Sequence, residues 1–165
     1  MRWKARVKDT RVKKTDEDYR EGVKRARATT TQPYVYVSRW RNRGLTVGVV
    51  GRYDVLKNRW ERAPTLVEPR GSHGACAVNS TIYVVSGGGI KSNLSSMETL
   101  DAANDAAWTL VEDFVRPRHA MGSEATKDGK SHTVGGWFNG REALAPNDVY
   151  DCSTNTSRAG AEIAH

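Results

Sequence analysis

The chain repeats several sequence landmarks at a spacing of 48 residues, and this repeat limits the folds that it can adopt. The landmarks with this spacing are Pro69-Arg70 and Pro117-Arg118, Gly74 and Gly122, Gly87-Gly88 and Gly135-Gly136, and Trp60 and Trp108. An aspartate directly preceded by tyrosine or leucine also occurs three times at a similar spacing, as Tyr53-Asp54, Leu100-Asp101 and Tyr150-Asp151. Independent landmarks at one spacing are not expected by chance, so the sequence predicts one supersecondary unit repeated along the chain.

The repeated unit has the pattern of a β-structure. From Tyr34 onward, short β-prone runs alternate with clusters of Gly, Asn, Asp and Pro, and no helical period of useful length separates them. The runs are YVYVS, TVGVV, GACAV, TIYVVS, METL, WTLV and HTVGG. This pattern predicts an all-β fold. No apolar run approaches the roughly 20 residues that span a bilayer, and the N-terminus lacks the apolar core of a secretion signal. We therefore expect a cytoplasmic or nuclear protein with no membrane contact.

The order of the landmarks resembles the Kelch repeat. Each unit reads Pro-Arg, a strand of small residues, an apolar strand ending in Gly-Gly, a loop, a Tyr-Asp-like pair and then a tryptophan. In the Kelch family this unit is a four-stranded antiparallel blade of a β-propeller, so the resemblance implies a partial propeller. It divides the chain into a basic extension, residues 1–33, and a repeat region, residues 34–165. Within the repeat region, residues 34–68 form a degenerate unit, 69–116 the clearest unit, 117–157 a diverged unit and 158–165 a tail.

Two structural expectations follow from the resemblance. The double glycine should permit positive φ at the end of its strand, and the tryptophan should pack toward the next blade. The first and last units depart from the pattern, because Arg39-Trp40 replaces Gly-Gly and Ser157 replaces the tryptophan. A closed ring needs about 4–8 blades, which this length does not supply. The chain is then a fragment, a shortened product, or an array completed by self-association or by a partner chain.

The resemblance also implies where a partner would bind. In Kelch propellers that bind other proteins, one rim is built from the loops after the Gly-Gly strand and before the innermost strand. Trp137 and Phe138 directly follow a glycine pair, and aromatic residues near arginine are typical interface anchors. The alternative is that Trp137 only covers the adjacent blade. Carried over by position, the candidate partner-binding residues are Ser72, His73, Lys91, Ser92, Asn93, His119, Ala120, Trp137, Phe138, Asn139 and Arg141.

Catalytic and metal-binding readings find little support in the sequence. The stretch IYVVSGGGIKSN looks like a phosphate-binding loop, but Ile90 stands before Lys91-Ser92 where the motif requires glycine. The histidines have no metal-ligand spacing, and Cys76 and Cys152 are expected to be free thiols. We therefore expect a protein that is not an enzyme and that carries no cofactor or metal.

The basic charge is concentrated in the N-terminal segment. Residues 1–43 contain 14 Lys/Arg and 5 Asp/Glu, whereas residues 44–165 contain 12 and 14. Thr15 could cap a short helix there, and Thr29–Pro33 reads as a linker. The segment has three interpretations: a nucleic-acid contact, a nuclear address, or a solvated extension without a role. The third is favoured because acidic residues interrupt the basic runs, so nucleic acid is a disfavoured partner.

Together these features predict a non-catalytic protein–protein interaction module of Kelch type. Many Kelch domains act as adaptors that recruit substrates to ubiquitin ligases through a BTB domain, but residues 1–33 contain no BTB-like segment. Two alternatives remain: a fragment of a propeller-type enzyme, and a degenerate Kelch product without independent function.

Overall fold

The computed structural model describes residues 27–31, 34–38, 41–42, 45–46, 48–104, 107–111, 113–114, 116–138 and 142–162. Over these residues the secondary structure is entirely β, as the sequence predicted. No helix in this part of the chain has the length and apolar character required to cross a membrane. The predicted helix after Thr15 lies outside the described residues.

The strands of the first half of the chain are β1 (Arg27–Thr31), β2 (Tyr34–Ser38), β3 (Arg41–Asn42), β4 (Leu45–Thr46), β5 (Val50–Asp54), β6 (Arg59–Arg62), β7 (Gly74–Val78) and β8 (Thr81–Val85). Those of the second half are β9 (Met97–Asp101), β10 (Thr109–Val111), β11 (Gly122–Ala125), β12 (Lys130–Val134), β13 (Trp137–Phe138), β14 (Glu142–Ala143), β15 (Pro146–Asp151) and β16 (Thr156–Glu162).

The strands form three four-stranded antiparallel sheets that follow one another along the chain. The first sheet has the order β1-β2-β5-β6, the second β7-β8-β9-β10 and the third β11-β12-β15-β16. Two short ribbons, β3–β4 and β13–β14, lie in the connections between the second and third strands of the first and third sheets. Each four-stranded sheet is therefore a simple meander, and the expected four-stranded antiparallel units are confirmed.

The sheets pack against one another through apolar side chains, with their first strands side by side. Strand β7 lies between β1 and β11. The core between the first and second sheets contains Tyr36, Val50, Ala63, Leu66, Ile82, Val84, Leu100, Ala102 and Trp108. The core between the second and third sheets contains Cys76, Tyr83, Val85, Met97, Phe114 and Tyr150. Because strand side chains alternate between faces, the apolar strands of the second sheet supply both cores.

The aspartates of the three repeated pairs occupy equivalent places. Asp54, Asp101 and Asp151 each end the third strand of their sheet. Each carboxylate then accepts a backbone N–H from the following turn, at 2.9 Å in all three cases. A carboxylate that caps its own turn explains why aspartate recurs there.

Two strand boundaries differ from the sequence expectation. The predicted linker at Thr29–Pro33 is wrong over Thr29–Thr31, because β1 pairs with β2 in a continuous register from Arg27 opposite Ser38 to Thr31 opposite Tyr34. Threonine has a high β-propensity, which outweighs the turn signal of the proline that follows. The run TVGVV is not one strand either, since Thr46 ends β4 and Val50 begins β5.

The tryptophan of the second sheet packs in the opposite direction from the one predicted. Trp108 belongs to the core between the first and second sheets, and its indole N–H donates to the carbonyl of Pro64 at 2.9 Å. It therefore faces the preceding sheet, not the next one. Trp60 holds the equivalent place in the first sheet, opposite Tyr53, with 5.2 Å between their ring centroids.

The two glycine pairs are offset by one residue in the structure. Gly88 forms a β-bridge with Gly71, and Trp137 forms the corresponding bridge with His119. Gly88 is therefore equivalent to Trp137, and the two residues before each of them, Ser86-Gly87 and Gly135-Gly136, are equivalent pairs. The φ angles agree, at 56° and 105° for Ser86 and Gly87, and 67° and 93° for Gly135 and Gly136. The cause is a turn that is one residue longer between β11 and β12, because Ala77 pairs with Ile82 whereas its equivalent Ala125 pairs with Ser131.

This offset predicts unequal effects of alanine at the two neighbouring glycines. A Cβ on Gly87, at φ 105°, would lie 2.8 Å from the Cβ of His73, whereas one on Gly88 would meet nothing closer than 3.7 Å. We expect Gly87→Ala to lower the free energy of unfolding by about 1–3 kcal/mol and Gly88→Ala by no more than about 0.5 kcal/mol. Urea denaturation of the two variants measures the difference, and equal losses would contradict the offset.

Candidate binding surface at the loop end of the sheets

The loops that carry the candidate residues emerge on one side of the molecule. In a meander the second strand ends on the side where the first begins, so the segments before the first strands lie beside the loops after the second strands. We call this side the loop end; its described parts are residues 71–73, 86–96, 119–121 and 135–138.

Each of these loops folds back on itself in the same way. In the second sheet Gly88 bridges both Gly71 and Asn93. In the third sheet Trp137 bridges His119 and pairs with Ala143. The chain at the loop end is therefore built of short hydrogen-bonded ribbons, which hold the loop side chains on a defined backbone.

The loops of the second and third sheets are joined to each other at Asn93. Its side-chain amide donates to the Trp137 carbonyl at 3.1 Å, and its side-chain oxygen lies 3.0 Å from Nδ1 of His119. The backbone N–H of Ala120 also donates to the Ser72 carbonyl at 2.7 Å. The structure thus brings together Ser72, Asn93, His119, Ala120 and Trp137, all of which the sequence resemblance had placed on one rim.

The exposed residues of this cluster form the candidate binding surface. Trp137 is 45 % exposed, and Ile90 is 78 % exposed. Lys91, Ser92 and Ala120 are also exposed, while Ser72, His119 and Phe138 are partly buried. Ile90 was missed by the sequence reasoning, which treated it only as a break in the phosphate-loop motif. Its signal was present, because a large apolar residue in a polar loop is a contact candidate.

One of the predicted residues, His73, is not part of this exposed surface. His73 is 1 % exposed, and its ring is hydrogen-bonded to the Ser38 hydroxyl across the first and second sheets. Its inclusion is corrected, because residue 73 points into the junction between sheets and not toward solvent. Asn139 and Arg141 lie outside the described residues.

The glycines of IYVVSGGGIKSN have no backbone donor left for a phosphate. Gly87 N–H donates to Arg118 at 2.7 Å, Gly88 to Gly71 at 2.7 Å and Gly89 to Ser92 at 2.8 Å. Phosphate loops work by leaving such N–H groups free to converge on the anion. The glycines instead join neighbouring segments of the loop end.

In each of the second and third sheets, a buried arginine is hydrogen-bonded to both ends of the loop that follows the second strand. Arg70 donates through Nη1 to the carbonyls of Ser86 and Ser96, at 3.0 and 2.7 Å, and through Nη2 to Glu98 at 2.8 Å. Its guanidinium thus ties together the two ends of the loop at residues 86–96. Arg70 and Glu98 are both fully buried.

Arg118 repeats this arrangement in the third sheet. It donates through Nη1 to the carbonyls of Gly135 and Pro146, at 3.1 and 3.3 Å, and it pairs with the buried carboxylate of Asp148. The recurring Pro-Arg is therefore a structural device that closes the loop between the second and third strands. In the first sheet the place of Glu98 is taken by Gly51, so the degenerate unit lacks the acid that such an arginine would require.

Burial shifts the pKa of several groups in the second and third sheets. Desolvation lowers the pKa of Arg70 and of Arg118, and the neighbouring carboxylates oppose that shift. Desolvation also raises the pKa of Cys76 to about 11, while its thiol donates to the Ser131 hydroxyl at 3.1 Å. A thiol with so high a pKa is not a thiolate nucleophile at neutral pH. Across the part of the chain that the structure describes, no three His, Cys, Asp or Glu side chains converge as metal ligands would.

No protein-family model matches the chain, and no curated protein matches it either.

Proposed function

We propose that the chain is a Kelch-type array of propeller blades that binds a protein partner through its loop end. Three features support the blade interpretation: three consecutive four-stranded meanders, first strands that lie side by side, and one Pro-Arg device in each of two sheets. In repeat arrays the loops on one side of the array often form the binding surface.

The observation that carries the binding proposal is the exposed Trp137 on a hydrogen-bonded ribbon. An indole that is 45 % exposed has a large apolar surface in contact with water. Tryptophan is among the residues most often found as binding anchors. The ribbon fixes its backbone through bonds to His119 in both directions, at 2.9 and 3.1 Å, so little conformational entropy is lost when a partner binds.

The outer face of the third sheet does not favour completion of the array on that side. Because Ser131 and Thr133 are buried toward the second sheet, His132 and its neighbours face away from it. This outer face is mostly polar, with Glu124, Lys130, His132, Asn147 and Arg158, and His132 is hydrogen-bonded to Asn147 at 3.1 Å. Its apolar members are Val134, which is 36 % exposed, and the buried Val149. Polar outer faces are typical of terminal repeats. We therefore assign partner binding to the loop end and not to sheet-against-sheet assembly at this face.

The test compares Trp137→Ala with Leu56→Ala. Leu56 is 81 % exposed in the turn between β5 and β6, on the side opposite to the loop end, so it is a matched control for loss of an exposed apolar side chain. We expect Trp137→Ala to cost about 2 kcal/mol or more of binding free energy, about thirtyfold in affinity, and Leu56→Ala to leave affinity unchanged.

The partner is found by capture on the immobilised chain followed by quantitative mass spectrometry. Proteins that are retained by the wild type and by Leu56→Ala but lost with Trp137→Ala support the proposal. An identical set of proteins on all three chains would overturn it.

A further inference from the structure

The loop end contains one side chain whose role differs from that of the exposed residues around it. Asn93 is partly buried, and its amide uses both of its ends, one on the Trp137 carbonyl and the other on the His119 ring. It belongs to the loop of the second sheet, whereas both of its partners belong to the third. Its own backbone is held by the bridge to Gly88.

The orientation of this amide follows from its partners. A backbone carbonyl only accepts hydrogen bonds, so the NH₂ group of Asn93 must face Trp137 and the amide oxygen must face His119. His119 must then carry a proton on Nδ1 in order to donate to Asn93.

The Asn93 amide is hydrogen-bonded to Trp137, the residue on which the proposed function depends most. The Trp137 carbonyl already accepts from the His119 backbone at 3.1 Å, and Asn93 adds a second donor at 3.1 Å. Two donors on one carbonyl fix the peptide plane that follows Trp137. Since backbone φ and ψ limit the rotamers that a side chain can adopt, this also restricts the directions open to the indole.

We propose that Asn93 is a positioning residue that holds Trp137 in its binding orientation, and not a residue that contacts the partner. This inference rests on the proposed function of the loop end. A residue of this kind contributes affinity by keeping the anchor ordered before the partner arrives. It also makes the binding surface a joint product of the second and third sheets.

The variant that isolates this role is Asn93→Asp. It keeps the size and the acceptor toward His119, but it replaces the donor toward Trp137 with a carboxylate oxygen that repels the carbonyl. Asn79→Asp is the matched control, because it makes the same change at an exposed asparagine in the turn between β7 and β8, on the side opposite to the loop end. Affinity for the captured partner should fall about five- to tenfold in Asn93→Asp, as for loss of one hydrogen bond, and should not change in Asn79→Asp.

Two further readouts separate positioning from contact and from general stability. In the Trp137→Ala background, Asn93→Asp should have no additional effect on affinity, because the residue that it positions is gone; a full additional loss would show direct contact and overturn the proposal. The ¹⁵N heteronuclear NOE of the Trp137 indole N–H, assigned by its absence in Trp137→Ala, should fall in Asn93→Asp while the unfolding transition stays in place. This NMR measurement needs no partner, so it tests the positioning role even if the binding proposal fails. An unchanged NOE would overturn the positioning role, and a reduced NOE would support it.

Discussion

Replacing Arg70 with methionine is expected to lower the free energy of unfolding by about 3–5 kcal/mol, the usual cost of breaking a buried ion pair by removing one partner. The substitution deletes the donors to the Ser86 and Ser96 carbonyls and leaves the carboxylate of Glu98 buried. Glu98 keeps only the backbone donors of Val67 and Glu68, at 2.6 and 3.0 Å. Methionine fills a similar length of space, so the loss reports on charge and hydrogen bonding more than on a cavity.

The control and the double variant make this prediction specific. Arg62→Met removes an exposed arginine from the edge strand β6 and should change stability by no more than about 0.5 kcal/mol. Arg70→Met combined with Glu98→Gln should be less destabilised than the sum of the two single variants, because the second change removes the uncompensated charge. Urea denaturation measures all four. A loss below about 1 kcal/mol for Arg70→Met would mean that the pair does not hold the loop.

The repeat could be found from the sequence because its markers are residues with strict backbone or capping roles. Asp54, Asp101 and Asp151 each cap a turn, and that need is the same in every sheet. The ion pair formed by the arginine of Pro-Arg was not predicted, although the sequence contains a sign of it. Glu98 lies in the otherwise strand-like run METLD, and Asp148 in the corresponding run NDVYD. A buried acid in two strands, each preceded by an arginine landmark, indicates an internal pair, and the absence of both features from the first unit strengthens that reading.

The remaining wrong predictions concern the length of a turn and the direction of a side chain, which the spacing of the landmarks does not encode. A turn longer by one residue between β11 and β12 moves the glycine equivalence from Gly87-Gly88 to Ser86-Gly87 while the sequence still shows a match at 48. His73 and His119 are both histidines beside a loop, but they do not hold equivalent places. At the 48-residue spacing His73 corresponds to Met121, and His119 corresponds to Gly71. His73 therefore faces the sheet junction, while His119 faces the loop end.

The second large effect is expected at Trp108, because its side chain joins two sheets. The indole is 4 % exposed within the core between the first and second sheets, and its N–H donates to Pro64. Trp108→Ala should lower the free energy of unfolding by about 3–5 kcal/mol. Trp108→Phe keeps most of the apolar contact and loses the hydrogen bond, so about 1–2 kcal/mol is expected. Trp137→Ala serves as the exposed control and should cost about 1 kcal/mol or less.

The part of the chain in which Trp108→Ala lowers stability distinguishes damage to one sheet-to-sheet interface from destabilisation of all three sheets. In stacked repeats each unit is stabilised mainly by its neighbours, so damage at one interface acts first on the units beside it. Hydrogen exchange in Trp108→Ala should therefore accelerate most in β2 and β5 of the first sheet, which depend on this interface, and least in β12 and β15 of the third. A uniform acceleration across all three sheets would show that they unfold as one unit, and it would contradict the independent contribution of each sheet-to-sheet core.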